Sequence, residues 1–138
     1  MPTNRLLLLV LLILALSPAA RAANTPPPPD DCASKNTQFE MNGCAELARK
    51  KVDAALSKTY QALQKKLTDP DAKALLKDAE RAWVVYRDKQ CEFESSGVKG
   101  GSVEPMVRAM CLQGLTEKRT KELARQVTCQ EGDVSCAR

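Results

Sequence analysis

Six cysteines, at positions 32, 44, 91, 111, 129 and 136, constrain this chain more than any other feature. Their number is even, and neither a C-x-x-C pair nor a histidine accompanies them. Zinc is therefore a poor reading, and three disulfides are the expected arrangement. Disulfides need an oxidising compartment, and the first residues predict one. Arg5 precedes an apolar run over 6–16, followed by Ser17-Pro18 and Ala20-Arg21-Ala22. These are the basic, hydrophobic and A-x-A parts of a secretory signal peptide over 1–22, with cleavage after Ala22. The run is shorter than the roughly 20 residues of a membrane span. Cys32 follows Pro29-Asp30-Asp31 rather than an apolar stretch, so no membrane anchor is expected after cleavage. The expected location is periplasmic or secreted.

Charge and composition exclude several functions. The signal segment carries two basic residues and no acidic one, so the net charge of +4 becomes +2 in the mature chain. That is too weak a bias for a nucleic-acid footprint. Without histidine there is no Ser-His or Cys-His nucleophile and no usual general base. No catalytic residue, metal ligand or cofactor-binding motif emerges, so the expectation is no cofactor and no enzyme. Aromatic residues make up only 4%, so the core must rest on Leu, Val, Ala and Met, with disulfides compensating for its modest size.

The remaining chain reads as helices. Residues 23–31 hold four consecutive prolines and form an extended spacer. Thr37-Gln38-Phe39-Glu40 has capping-box spacing. From it Met41, Ala45, Ala48, Val52, Leu56, Tyr60, Leu63 and Leu67 recur at helical intervals. Asp69-Pro70 supplies a stop and a restart. The second helix carries Leu75, Leu76, Ala79, Ala82, Trp83, Tyr86 and Phe93 on one side, with Asp71, Lys73, Lys77, Asp78 and Glu80 on a solvated face. Three glycines within 97–101 make a loop. Pro105 opens a third helix bearing Val107, Cys111, Leu115 and Leu123. The fold class is all-α, a small antiparallel bundle of about three helices stapled by disulfides, with the helical domain over 32–127 and a disulfide-closed tail over 128–138.

A tight turn near residue 69 makes the first two helices antiparallel neighbours. Cys44 lies 25 residues before that turn and Cys91 lies 22 after it, which puts them within roughly one turn in height at about 1.5 Å per residue. This favours Cys44–Cys91, with Cys32–Cys111 and Cys129–Cys136 completing the set. The scheme Cys32–Cys44 with Cys91–Cys111 is the open alternative.

The stretch WVVYRDKQCE over 83–92 concentrates residue types that do chemistry. Trp83 falls on the apolar stripe, which predicts a core tryptophan. Arg87, four residues on, can stack over the indole. Asp88 is adjacent to Arg87, so no intrahelical pair between them is expected. The stretch reads as structural.

The same residues carry a resemblance. Cys32, Thr37 and Met41-Asn42-Gly43-Cys44-Ala45, then Arg81-Ala82-Trp83-Val84-Val85-Tyr86-Arg87-Asp88-Lys89-Gln90-Cys91, resemble the signatures of the lysozyme inhibitor LprI-like family. Gly100-Gly101-Ser102, Cys111 and Leu115-Thr116-Glu117-Lys118-Arg119 are similar to its closing segment. Trp83, Tyr86, Arg87 and Asp88 are the structural signature residues, and four cysteines belong to the pattern. Cys129 and Cys136 lie outside it, which supports their pairing with each other. The resemblance implies a small exported helical protein of bacteria, with lysozyme as a partner. The lipid-attachment cysteine of the family's namesake is missing here.

Two functions follow as expectations. The first is a lysozyme inhibitor that blocks the active-site cleft, with Lys99 meeting a catalytic carboxylate and Ser95, Ser96 and Ser102 nearby on the same loop. The alternative is a periplasmic scaffold or adaptor that binds an envelope component through a helix face. The charged faces of the first two helices suggest no exposed apolar patch that names such a partner.

Overall fold

The structure, a computed structural model, describes residues 32, 34–130 and 132–137. The expected signal peptide and proline spacer lie outside these residues. Three long helices follow in order: α1 Gln38–Lys66, α2 Pro70–Glu94 and α3 Glu104–Thr128, with a 3-10 turn Ser96–Val98 between the last two.

Local chemistry sets each start. Thr37 caps α1, accepting the Glu40 N–H while the Glu40 carboxylate accepts the Thr37 N–H, the reciprocal pair of a capping box. Asp69 caps α2, with Pro70 at its first position, where a missing N–H costs nothing. Pro105 stands at the second position of α3, still within the first turn, where its missing N–H has no partner to lose. Gly100, at φ +76°, lets the loop turn between α2 and α3.

Contacts across the bundle give the directions. Asn42 reaches Ser102, Asp53 reaches Thr116, and Lys66 reaches Val127, so α1 and α3 run parallel. Cys91 bonds to Cys111 and Glu80 pairs with Arg119, so α2 runs antiparallel to α3. The closest helix pair is α1 with α3, and α2 leans on α3. The turn at residue 69 reverses the chain as expected, but it does not make α1 and α2 the intimate pair. Ala45 and Ala48 on α1 and Ala109 on α3 are all buried, and such small side chains let two backbones approach closely. α2 presents Leu76, Trp83 and Arg87 instead and is held farther out.

Leu63, Leu67 and Leu123 form the buried core near the α1–α2 turn, with Leu56, Tyr60, Ala72, Leu76 and Val127 around them. At the other end the Cys32–Cys44 and Cys91–Cys111 disulfides replace bulk, while Cys129–Cys136 closes the tail beside the leucine core. Their Cα separations are 5.6, 5.6 and 5.7 Å in that order. The favoured pairs Cys44–Cys91 and Cys32–Cys111 are therefore wrong, and the alternative scheme holds. Matched height on two helices fixes a level, not a direction. Cys44 turns to the segment that leads into α1, and Cys91 turns to α3.

Three further expectations need correction. Glu80 does not belong to a solvated face; its side chain is 14% exposed against Arg119. Asp88 does pair with Arg87, its carboxylate accepting from Nε at 2.9 Å and Nη2 at 2.8 Å. Adjacent Cβ atoms diverge, but the arginine stem is long enough to fold back. Finally, α2 leaves much of its apolar side uncovered: Leu75, Ala79, Ala82, Tyr86 and Phe93 are all exposed.

Candidate functional site

Of the four signature residues only Arg87 bridges helices: Trp83, expected in the core, is only half-buried, Tyr86 is exposed, and Asp88 pairs with Arg87 on its own helix. The Arg87 guanidinium lies 5.2 Å from the Trp83 ring centroid, within cation–π range. Arg87 also reaches the Asp53 carboxylate on α1 at 3.5 Å, which Arg49 and the fully buried Thr116 share. One carboxylate thus ties all three helices. Burial would raise the cost of that charge, and two guanidiniums and a hydroxyl offset it. Glu46 and Asp53 in turn push the Arg49 pKa up, the hydrogen bond from Glu46 contributing most. Asn42 donates to the Ser102 carbonyl at 2.9 Å and accepts from Gln38, which fastens the start of α1 to the loop before α3. None of this forms a reactive centre: every carboxylate of the network is engaged by a cation.

Function is better sought beside the Cys91–Cys111 bridge. Here the end of α2, the 3-10 turn and the first turns of α3 enclose a groove of about 430 Å³, lined by Lys89, Phe93, Ser95, Ser96, Lys99 and Arg108, with Glu92 and Glu104. Both acids have hydrogen-bond partners, though only Glu92 is paired with a cation. Glu92 binds Lys89 at 2.8 Å, and Glu104 accepts the Gly100 N–H at 2.6 Å. The Lys89 hydrogen bond holds the Glu92 carboxyl below the usual carboxylate range, with the fields of Arg108 and Lys99 adding to it. Lys99 and Arg108 themselves make no ion pair among the described residues. The groove therefore gathers three cations and two carboxylates, a net charge of +1, beside an exposed phenylalanine ring.

The expected contact residues divide. Lys99, Ser96 and Ser102 are exposed on the loop. Ser95 is not available, because it is buried and its hydroxyl donates to the Cys91 carbonyl at 2.8 Å, closing the end of α2. The Ser102 carbonyl accepts from Asn42, and Ser102 does not line the groove. Arg108, Lys89 and Phe93 join Lys99 instead, and sequence reasoning missed all three. The signal that would have found Arg108 was the second disulfide scheme, which brings residue 108 beside residue 92. In the tail, Cys129, Asp133 and Cys136 lie close together, but both sulfurs are disulfide-bonded and offer no thiolate to a metal.

The family model for lysozyme inhibitor LprI matches residues 30–123. An uncharacterized protein of Rhizobium meliloti (strain 1021) is 44% identical over 105 residues, covering 67% of this chain and 76% of the relative. No solved structure matches.

Proposed function

The chain belongs to the lysozyme inhibitor LprI family, and from that premise we propose that it binds lysozyme and blocks its active-site cleft with the basic groove. A lysozyme cleft carries a pair of catalytic carboxylates flanking the scissile bond. The observation that carries the reading is that Lys99, on a loop held from three sides, and Arg108, on the first turns of α3, line one groove, and neither lies within ion-pair distance of a carboxylate among the described residues. The Cys91–Cys111 bridge anchors the start of the loop, Glu104 fixes Gly100, and Asn42 holds the Ser102 carbonyl. A loop pre-ordered in this way loses little entropy on binding. Lys99 would meet one carboxylate from the tip, with Arg108 behind it and the Ser96 hydroxyl beside it. The mature net charge of +2 gives no long-range steering toward a basic lysozyme, so affinity rests on these local contacts.

In this reading the protein is an exported inhibitor without catalysis of its own, acting in the periplasm or outside the cell. Lysis of cell-wall substrate by goose-, chicken- and invertebrate-type lysozymes tests it. Dose-dependent inhibition of one class is expected, with Lys99→Ala and Arg108→Ala each weakening it about tenfold, the loss of one charge-assisted contact of about 1.4 kcal/mol. Full potency in both variants would remove the groove from the mechanism. If no class is inhibited, the adaptor reading takes its place, and the exposed side of α2 is the observation that favours it. Pull-down from envelope extract would then seek the partner.

A further inference from the structure

The exposed residues of α2 form a pattern. Leu75, Ala79, Ala82, Tyr86, Lys89 and Phe93 follow one another at intervals of 4, 3, 4, 3 and 4 residues, the spacing of a coiled-coil seam. At about 100° per residue they fall within roughly 80° of arc and extend about 27 Å along the helix. Leu75 is 71% exposed, Tyr86 55% and Phe93 73%. The six are all exposed, although Leu75, Ala79, Lys89 and Phe93 also edge the grooves beside α3, and a row of exposed large apolar side chains of this kind marks an interaction site.

The order of side chains along the seam indicates its occupant. Its first half is the smaller, Leu75, Ala79 and Ala82, and its second half the larger, Tyr86, Lys89 and Phe93. Reversing the helix about residue 84 sets Ala82 opposite Tyr86, Ala79 opposite Lys89, and Leu75 opposite Phe93. Every alanine then meets a long side chain. Charge follows size. Asp78 sits beside Ala79, so the ammonium of an opposing Lys89 arrives next to an opposing Asp78. Both have only exposed local partners to give up, Arg81 for Asp78 and Glu92 for Lys89. A parallel arrangement would instead stack Tyr86 on Tyr86 and Lys89 on Lys89.

We propose that α2 is a homodimer interface, in which two copies pair antiparallel through this seam on a two-fold axis near residue 84. Such an interface is isologous, each contact occurring twice. One helix pair buries less than the roughly 1,600 Å² of a standard interface, so the dimer is expected to dissociate at tens of micromolar protein. The axis keeps the two Lys99 loops at opposite ends, but the seam takes Lys89 and Phe93 from the edge of the groove proposed for lysozyme, so a dimer and lysozyme compete for those two side chains.

Analytical ultracentrifugation of the oxidised mature chain, from 1 to 500 µM, tests it. A monomer–dimer equilibrium is expected, and Tyr86→Glu should weaken it at least tenfold while leaving the helical circular dichroism spectrum intact. Asp78→Lys and Lys89→Glu should each weaken association, and the double variant should restore it. A wild-type chain that stays monomeric throughout would overturn the proposal. So would a Tyr86→Glu variant that associates like wild type, or charge reversals whose effects simply add.

Discussion

Glu80 and Arg119 face each other across the α2–α3 boundary with side chains 14% and 19% exposed, Arg119 Nε donating to Oε1 at 2.7 Å. Glu122 takes a second bond from Arg119 at 2.9 Å. Removing one member leaves the other charged and largely shielded from water, which is costlier than the pair is favourable. Arg119→Ala is therefore expected to destabilise the protein by about 3 kcal/mol, read as a shifted denaturant midpoint at unchanged slope. A loss below about 0.5 kcal/mol would place the pair among ordinary surface bridges. Neither member was legible in the sequence. Glu80 stands in a charged neighbourhood that reads as solvated, and its partner lies 39 residues away. Trp83 with Arg87 was legible, because their spacing of four residues is local to one helix.

At the scale of the element, the helix starts depend on short-range groups whose charge can be titrated. The Thr37 hydroxyl, and then the Thr37 N–H, hold the Glu40 carboxyl below its usual range. A carboxyl depressed by folding contributes stability above its ordinary range and loses it as pH falls through the lower folded value. The first turn of α1 should accordingly fray in acid. Hydrogen exchange of the amides at 38–41 should quicken relative to the rest of α1 below about pH 4, and Glu40→Gln should flatten that dependence. Equal acid sensitivity along the whole helix would assign the effect to global unfolding. Caps of this kind were readable in the sequence because the capping box spans only four residues. The far end of α3 was not. There the Lys66 ammonium donates to the Gln126, Val127 and Cys129 carbonyls at 3.0, 2.9 and 2.7 Å, a cation placed at a helix C-terminus by another helix.

For the whole molecule, the disulfides set how the helices are held. Cys91–Cys111 closes a 20-residue loop between α2 and α3 and fixes the groove that holds Lys99 and Arg108. Replacing both cysteines with alanine should cost about 3 kcal/mol by loop-closure entropy and weaken any lysozyme inhibition along with it. Peptide mapping under non-reducing conditions checks the connectivity directly; a peptide joining Cys44 to Cys91 would contradict this arrangement. The reach of α2 away from the α1–α3 pair has the opposite consequence, since it leaves an apolar seam in solvent that a second copy of the chain can cover.

The sequence by itself determined three helices with their caps and turns, an even set of oxidised cysteines, and the likeness to a family of lysozyme inhibitors. Each rests on neighbours within a few residues or on an ordered motif. Tertiary structure alone decided that α1 packs on α3, that Cys91 bonds Cys111, that Ser95 is buried, and that Phe93 and Tyr86 face outward. A period of 3.6 residues fixes which side chains share a face of one helix, but not which neighbour that face meets. That choice belongs to how closely two backbones can approach, and here Ala45, Ala48 and Ala109 allowed α1 and α3 the closest contact, leaving the larger side chains of α2 partly outside.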